Sequence, residues 1–259
     1  MASEKLIVRN EDGVGWMIFN NPEKLNAISL EMWEAALEAM ADFAADASVR
    51  VMVLTGAGGK AFVAGTDIAQ FLSFQGGEDG LRYERDVGEF VGRVARVAKP
   101  VIAQIEGFAV GGGFGIAAAC DLRIATPDAR FGAPIARTLG NCLSIHAYAR
   151  YLELLGPSRL KELIFTARLM TADEARSAGF VHEIVDAERI AARVRELAEQ
   201  VASHAPITLM VTKEAIRRIH ESRALPDGAD LIAKTYGSAD FREGVRAFVE
   251  KRPPRWTGK

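Results

Sequence analysis

Cysteine is nearly absent from this 259-residue chain: only Cys120 and Cys142 occur, too few for a disulfide framework. Neither falls in a zinc-ligand spacing, and both sit in apolar or helical surroundings that suit reduced thiols. Charge of one sign is missing too. With 32 Lys and Arg against 34 Asp and Glu, the formal net charge of −2 gives no broad cationic face for nucleic acid or anionic lipid. No run approaches the roughly 18 apolar residues of a membrane span. The start, Met1-Ala2-Ser3-Glu4-Lys5, lacks the basic and apolar regions of a signal peptide, and Thr257-Gly258-Lys259 is not a peroxisomal tripeptide. These absences lead us to expect a soluble cytoplasmic protein with no membrane or nucleic-acid partner.

What is present is apolar content, 49% of residues, enough for one large domain or a domain with a helical appendage. Strand-like runs at 6–9 and 14–20 flank Asp12-Gly13, a hairpin dipeptide. After Ser29, residues Met32, Trp33, Ala36, Leu37, Met40 and Phe43 recur at helical spacing, which predicts an amphipathic helix over 30–44. The apolar run 51–54 reads as a buried strand. A helical pattern over 81–98 stops at Lys99-Pro100, because the residue before a proline is pushed out of helical geometry. Runs 101–105 and 122–125 then alternate with the 111–120 segment as strand, helix, strand, which argues for α/β layering. Beyond Ser144 the pattern is almost wholly helical, with starts at Pro157, Thr171, Pro206 and Pro226-Asp227 and one short strand at 182–185. The division expected is a core over 1–200 and a helical region over 201–259.

Two glycine turns carry the chemical signal. Gly107 to Gly115 reads G-F-A-V-G-G-G-F-G between a strand and a helix, and Ala64-Gly65-Thr66-Asp67 opens a second helix. The first N–H groups of a helix lack intrahelical acceptors and carry partial positive charge, so they can bind an oxyanion. Glycine there lets a ligand approach the backbone. Gly56-x-Gly58-x-x-Ala61 is a poor dinucleotide fingerprint, since Phe62-Val63-Ala64-Gly65 separates it from any helix. Lys60 is followed by Ala61, which fails the phosphate-loop pattern.

Together the turns read A-F-x-A-G-x-D and G-G-G-x-x-x-A-x-A-C-D, with Asn21-Pro22-Glu23-Lys24-Leu25-Asn26-Ala27 upstream and Ala247-Phe248-Val249-Glu250-Lys251-Arg252-Pro253 near the end. In this combination and order the chain resembles the crotonase superfamily, the enoyl-CoA hydratase/isomerase family, over almost its whole length. The resemblance implies an α/β fold of the ClpP/crotonase-like kind, a spiral of ββα units with a C-terminal helical oligomerisation region. It implies a homotrimer or homohexamer and an acyl-CoA thioester as substrate, with coenzyme A entering as part of the substrate and no metal or other cofactor. The thioester oxygen would accept from the N–H groups of Thr66 and Gly112, which stabilise an enolate more than the neutral ground state. Lys24, Leu25, Ala27, Ala64, Gly65, Thr66, Asp67, Ile68, Gly111, Gly112, Phe248 and Lys251 would bind the substrate, Asp67 by orienting its turn.

The resemblance breaks at the acids. Hydratases of the family use two glutamates, one three residues after the middle glycine of the triplet and one after the Phe-Gly-x-Pro turn. Here those positions hold Gly115 and Ile135, or Ala136 if the extra residue between Phe131 and Gly156 shifts the register. None of these can transfer a proton. Replacement candidates are Ser144, which also suits a helix cap; Arg137, as partner for an acyl carboxylate; and Glu84, Asp86 and Glu89 in the helix before Pro100, of which Glu89 is taken as the catalytic candidate. The expected chemistry is that of an enolate-forming member of this family. The alternatives are double-bond isomerisation or C–C hydrolysis or lyase chemistry with another base, and a non-catalytic acyl-CoA-binding protein.

Overall fold

The computed structural model describes residues 4–222 and 225–259. Strands β1 (Leu6–Glu11) and β2 (Val14–Phe19) form the expected hairpin, Leu6 opposite Phe19, with Asp12 and Gly13 at φ of 51° and 83°. Helix α1 (Leu30–Ala45) is capped by Ser29, whose side chain accepts from the Met32 N–H, and buries Met32, Ala36, Ala39, Met40 and Phe43.

Next come β3 (Val51–Gly56), β4 (Ala61–Val63), a 3-10 helix (Ile68–Ser73) and α2 (Gly77–Arg96). Two similar units follow: β5 (Val101–Ile105), β6 (Phe108–Val110) and α3 (Gly112–Ala119), then β7 (Leu122–Ala125), β8 (Arg130–Gly132), α4 (Ile135–Thr138) and α5 (Ile145–Thr166). The first strand of each pair joins a six-stranded sheet of order β1-β2-β3-β5-β7-β10, where β10 is Glu183–Ile184. The second joins a four-stranded sheet of order β4-β6-β8-β9, where β9 is Met170–Thr171. This repetition is the ββα spiral. The four-stranded sheet has no counterpart in the sequence pattern, which marks 64–67 and 107–115 as glycine turns and assigns no strand to 61–63 or 130–132. Its strands are only two or three residues long, too short to show a two-residue period.

Helices α6 (Ala172–Ser177), α7 (Ala187–Ser203), α8 (Pro206–Glu221), α9 (Ala229–Tyr236) and α10 (Ala239–Val249) complete the chain. Strand β3 is buried on both faces: Met52 and Leu54 enter the main core, while Val51 and Val53 pack with Ile190, Val194 and Ala198 of α7. Within α5 the helix breaks at Gly156, φ 72°, and restarts at Pro157. The helix expected to begin after Asp67 is instead the 3-10 segment, started by Asp67 accepting from the Ala69 N–H.

The division at residue 200 falls inside α7. Beyond it, α9 and α10 are built into the body of the molecule: Ile232, Tyr236, Phe241 and Val245 form one buried cluster with Phe71 and Leu139. Helix α8 differs. None of its residues is buried, and Ile207, Met210, Val211, Ile216 and Ile219 are exposed. Among the described residues no helix is long and apolar enough to cross a membrane.

Candidate active site

The two glycine turns meet. Gly65 and Gly111 hold φ of 108° and 56°, a region side chains with a Cβ rarely adopt. A Cβ on Gly111 would lie 3.6 Å from Gly65 Cα, and one on Gly112 would lie 3.4 Å from Thr66 Oγ1. Neither the Thr66 nor the Gly112 N–H has an acceptor among the described residues. Two unpaired backbone donors thus lie on adjoining turns, available to an acceptor from outside the chain.

The Lys24–Ile28 segment is stitched to the first turn. The Ala64 N–H donates to Leu25 O at 3.0 Å, Ile28 N–H to Gly65 O at 2.9 Å and Asp67 N–H to Ile28 O at 3.0 Å, while Lys24 Nζ pairs with Asp67 Oδ2 at 3.0 Å. Thus Lys24, Leu25, Ala27, Ala64, Gly65, Thr66, Asp67 and Ile68 do lie together. Asn26 holds the segment from inside: its Oδ1 accepts from Asn21 N–H, and its Nδ2 donates to Ala57 O and Ala61 O. Phe248 and Lys251 stand apart from these bonds, at the C-terminal end of α10, both exposed.

Helix α2 carries one buried carboxylate among its described residues, Glu84, while Glu89, the candidate named from the sequence, is exposed. Glu84 is buried; its Oε1 accepts from Tyr236 Oη at 2.7 Å and its Oε2 from the Ser144 N–H at 3.0 Å. Burial outweighs these two donors and pushes its pKa up to about 6. Its neighbour Tyr83 bonds through Oη to Thr66 Oγ1 at 2.8 Å, tying α2 to the first glycine turn. Glu89 lies on the opposite side of α2, exposed and paired with Arg93 at 3.3 Å. The sequence carried the signal: Leu81, Glu84, Val87, Val91 and Val94 make one apolar stripe, and a glutamate inside such a stripe is a core residue.

Ser144 caps α5, its side chain accepting from the Ala147 N–H at 3.4 Å, and it meets the site through its backbone N–H. His146 is exposed. Arg137 is exposed on α4 and forms no ion pair among the described residues. Ile135 is buried at the start of α4, and Gly115 lies one turn into α3. Tyr236 and Asn141, whose Nδ2 donates to Tyr236 Oη at 3.1 Å, were not legible as site residues: only the return of α9 onto α2 brings Tyr236 to Glu84.

Known proteins share this architecture. The family model for enoyl-CoA hydratase/isomerase matches residues 9–259. A short-chain-enoyl-CoA hydratase from Clostridium acetobutylicum is 33% identical over 255 residues, 97% of each chain. A crotonyl-CoA hydratase from Syntrophomonas wolfei is 32% identical, with both chains fully covered. Among solved structures, a methylmalonyl-CoA decarboxylase in complex with 2-nitronate-propionyl-CoA superimposes with a TM-score of 0.91 at 29% identity, covering 99% of each chain. The chain belongs to the enoyl-CoA hydratase/isomerase family and is an acyl-CoA-processing enzyme with the crotonase fold.

Proposed function

We propose that this enzyme forms a thioester enolate with a single carboxylate, Glu84, as the group that moves the proton. The observation that carries this reading is Glu84 itself, a buried carboxylate oriented by two donors and joined through Tyr83 and Thr66 to the turns bearing the free N–H groups. The substrate is an acyl-CoA whose thioester oxygen accepts from Thr66 N–H and Gly112 N–H. Glu84 takes a proton from the α-carbon: the C–H bond breaks, the proton passes to a carboxylate oxygen, and the electron pair becomes an enolate whose charge rests on the thioester oxygen. Fixed donors there are worth about 3 kcal/mol each in comparable sites.

One carboxylate can remove a proton and return it at another carbon, as in double-bond migration, or leave the enolate to break a bond in the acyl chain. Hydration by a pair of carboxylates is disfavoured, because Gly115 and Ile135 carry no acid. Coenzyme A enters with the substrate. We assign assembly as a homotrimer or homohexamer to the uncovered apolar side of α8.

The test is exchange of the α-protons of butyryl-CoA in D₂O, followed by NMR. Enzyme-dependent exchange that disappears in Glu84→Gln and in Gly112→Pro supports the reading. Tight acyl-CoA binding without exchange overturns it and favours a binding protein.

A further inference from the structure

Helix α5 also directs a tyrosine toward α3. Tyr151 is 3% exposed, and its ring stacks on Phe114 with centroids 4.5 Å apart and planes within 9°. Its hydroxyl has no hydrogen-bond partner among the described residues. The ring is buried, but the oxygen is not among the fully buried unpaired atoms, so the hydroxyl keeps an opening through which a partner can reach it. Packing against Phe114 accounts for the ring; it leaves the hydroxyl unexplained.

The hydroxyl faces bare backbone. A Cβ on Gly115 would lie 3.5 Å from Tyr151 Oη and 3.7 Å from Val91 Cγ2. Gly115 is three residues beyond Gly112, on the same face of α3. A chain leaving the free Gly112 N–H along that face therefore runs over Gly115 and meets the phenol. Three residues of helix advance about 4.5 Å, close to the ~4 Å from a thioester carbon to an oxygen on the β-carbon.

We infer that Tyr151 is a specificity-determining residue whose hydroxyl donates a hydrogen bond to an oxygen on the β-carbon of the acyl group. The substrates favoured are then acyl-CoA thioesters with a hydroxyl or carbonyl at that carbon, over plain hydrocarbon chains. Burial and the nearby Glu84 both push the Tyr151 pKa up, against an opposing pull from Arg150, so the phenol stays neutral and able to donate. This inference rests on the proposed placement of the thioester at Thr66 and Gly112.

Calorimetry with butyryl-CoA, 3-hydroxybutyryl-CoA in both configurations, and acetoacetyl-CoA tests it on the intact enzyme and on Tyr151→Phe, which keeps the ring stack. The intact enzyme is expected to bind at least one oxygenated ligand about tenfold more tightly than butyryl-CoA. In Tyr151→Phe that preference collapses to within about twofold while butyryl-CoA affinity stays put. Equal affinities in the intact enzyme overturn the inference, as does a preference that survives in Tyr151→Phe. The intact enzyme's preference tests the inference even if the variant does not fold. Absence of binding to every thioester instead overturns the proposed function, so the two failures are distinguishable.

Discussion

Glu84 and Tyr236 are 152 residues apart in the chain, yet the tyrosine hydroxyl donates to the carboxylate at 2.7 Å. The bond fastens α9 over α2 and orients one oxygen of the proposed base, while the Ser144 N–H, at the positive end of α5, holds the other.

Glu84→Gln is expected to lower α-proton exchange by about 10²–10⁴-fold, the usual worth of a positioned base. It should also stabilise the protein at pH 8 by up to about 2 kcal/mol, because the charged form no longer has to be buried. Thermal unfolding beside the exchange assay checks both, and a variant that loses stability at pH 8 contradicts the account of Glu84 as a strained carboxylate.

The same group sets a pH dependence. Its pKa rises from the ordinary 4.5 to about 6 in the folded state, so between these values the folded protein holds a proton the unfolded chain has released. This group's contribution to stability therefore falls as pH rises from 4.5 to about 6 and is level above. Exchange activity runs the other way, appearing as Glu84 ionises. The ionisable neighbours Tyr83, Cys142, Tyr148, Tyr151 and Tyr236 all have pKa values raised by burial and stay neutral here. A single ionisation near pH 6 on the acid limb of the rate profile is the expected result.

Tyr236→Phe removes a donor that favours the charged carboxylate. The acid limb should move upward by about one pH unit, the equivalent of one hydrogen bond of roughly 1.4 kcal/mol. An unchanged limb with reduced stability would mean that Tyr236 only fills space in its aromatic cluster.

Crotonyl-CoA hydration by the wild type should fall at least about 10²-fold below an ordinary rate of ~10 s⁻¹. A spectrophotometric assay that follows loss of the enoyl thioester absorbance reads this directly; a normal hydratase rate would show that Glu84 serves water addition unaided.

The uncovered face of α8 predicts an assembly. Ile216→Glu with Ile219→Glu should shift a trimer or hexamer toward monomer in sedimentation, since both side chains are more than half exposed in the single chain. Unchanged sedimentation would move the interface elsewhere.

Local patterns in the sequence were enough for the hairpin, α1, the paired core strands, the cap at Ser144 and the two glycine turns, because each is written in adjacent residues: a D-G turn, a helical stripe, a glycine at positive φ. The segments around Lys24 and Ala64 were recognisable by resemblance, and backbone bonds between them account for their joint placement. Choosing among the acidic residues of α2 needed the helix phase, which puts Glu84 in the buried stripe and Glu89 across from it. What only the tertiary structure decided is where α9 goes. Nothing local to Tyr236 or Asn141 refers to Glu84; their meeting follows from Phe71, Tyr236 and Phe241 burying one another against α2. Hydrophobic burial is non-directional, so a sequence states which faces must be covered, whereas the packed chain settles which distant side chains share the covered space and hence which carboxylate loses its water.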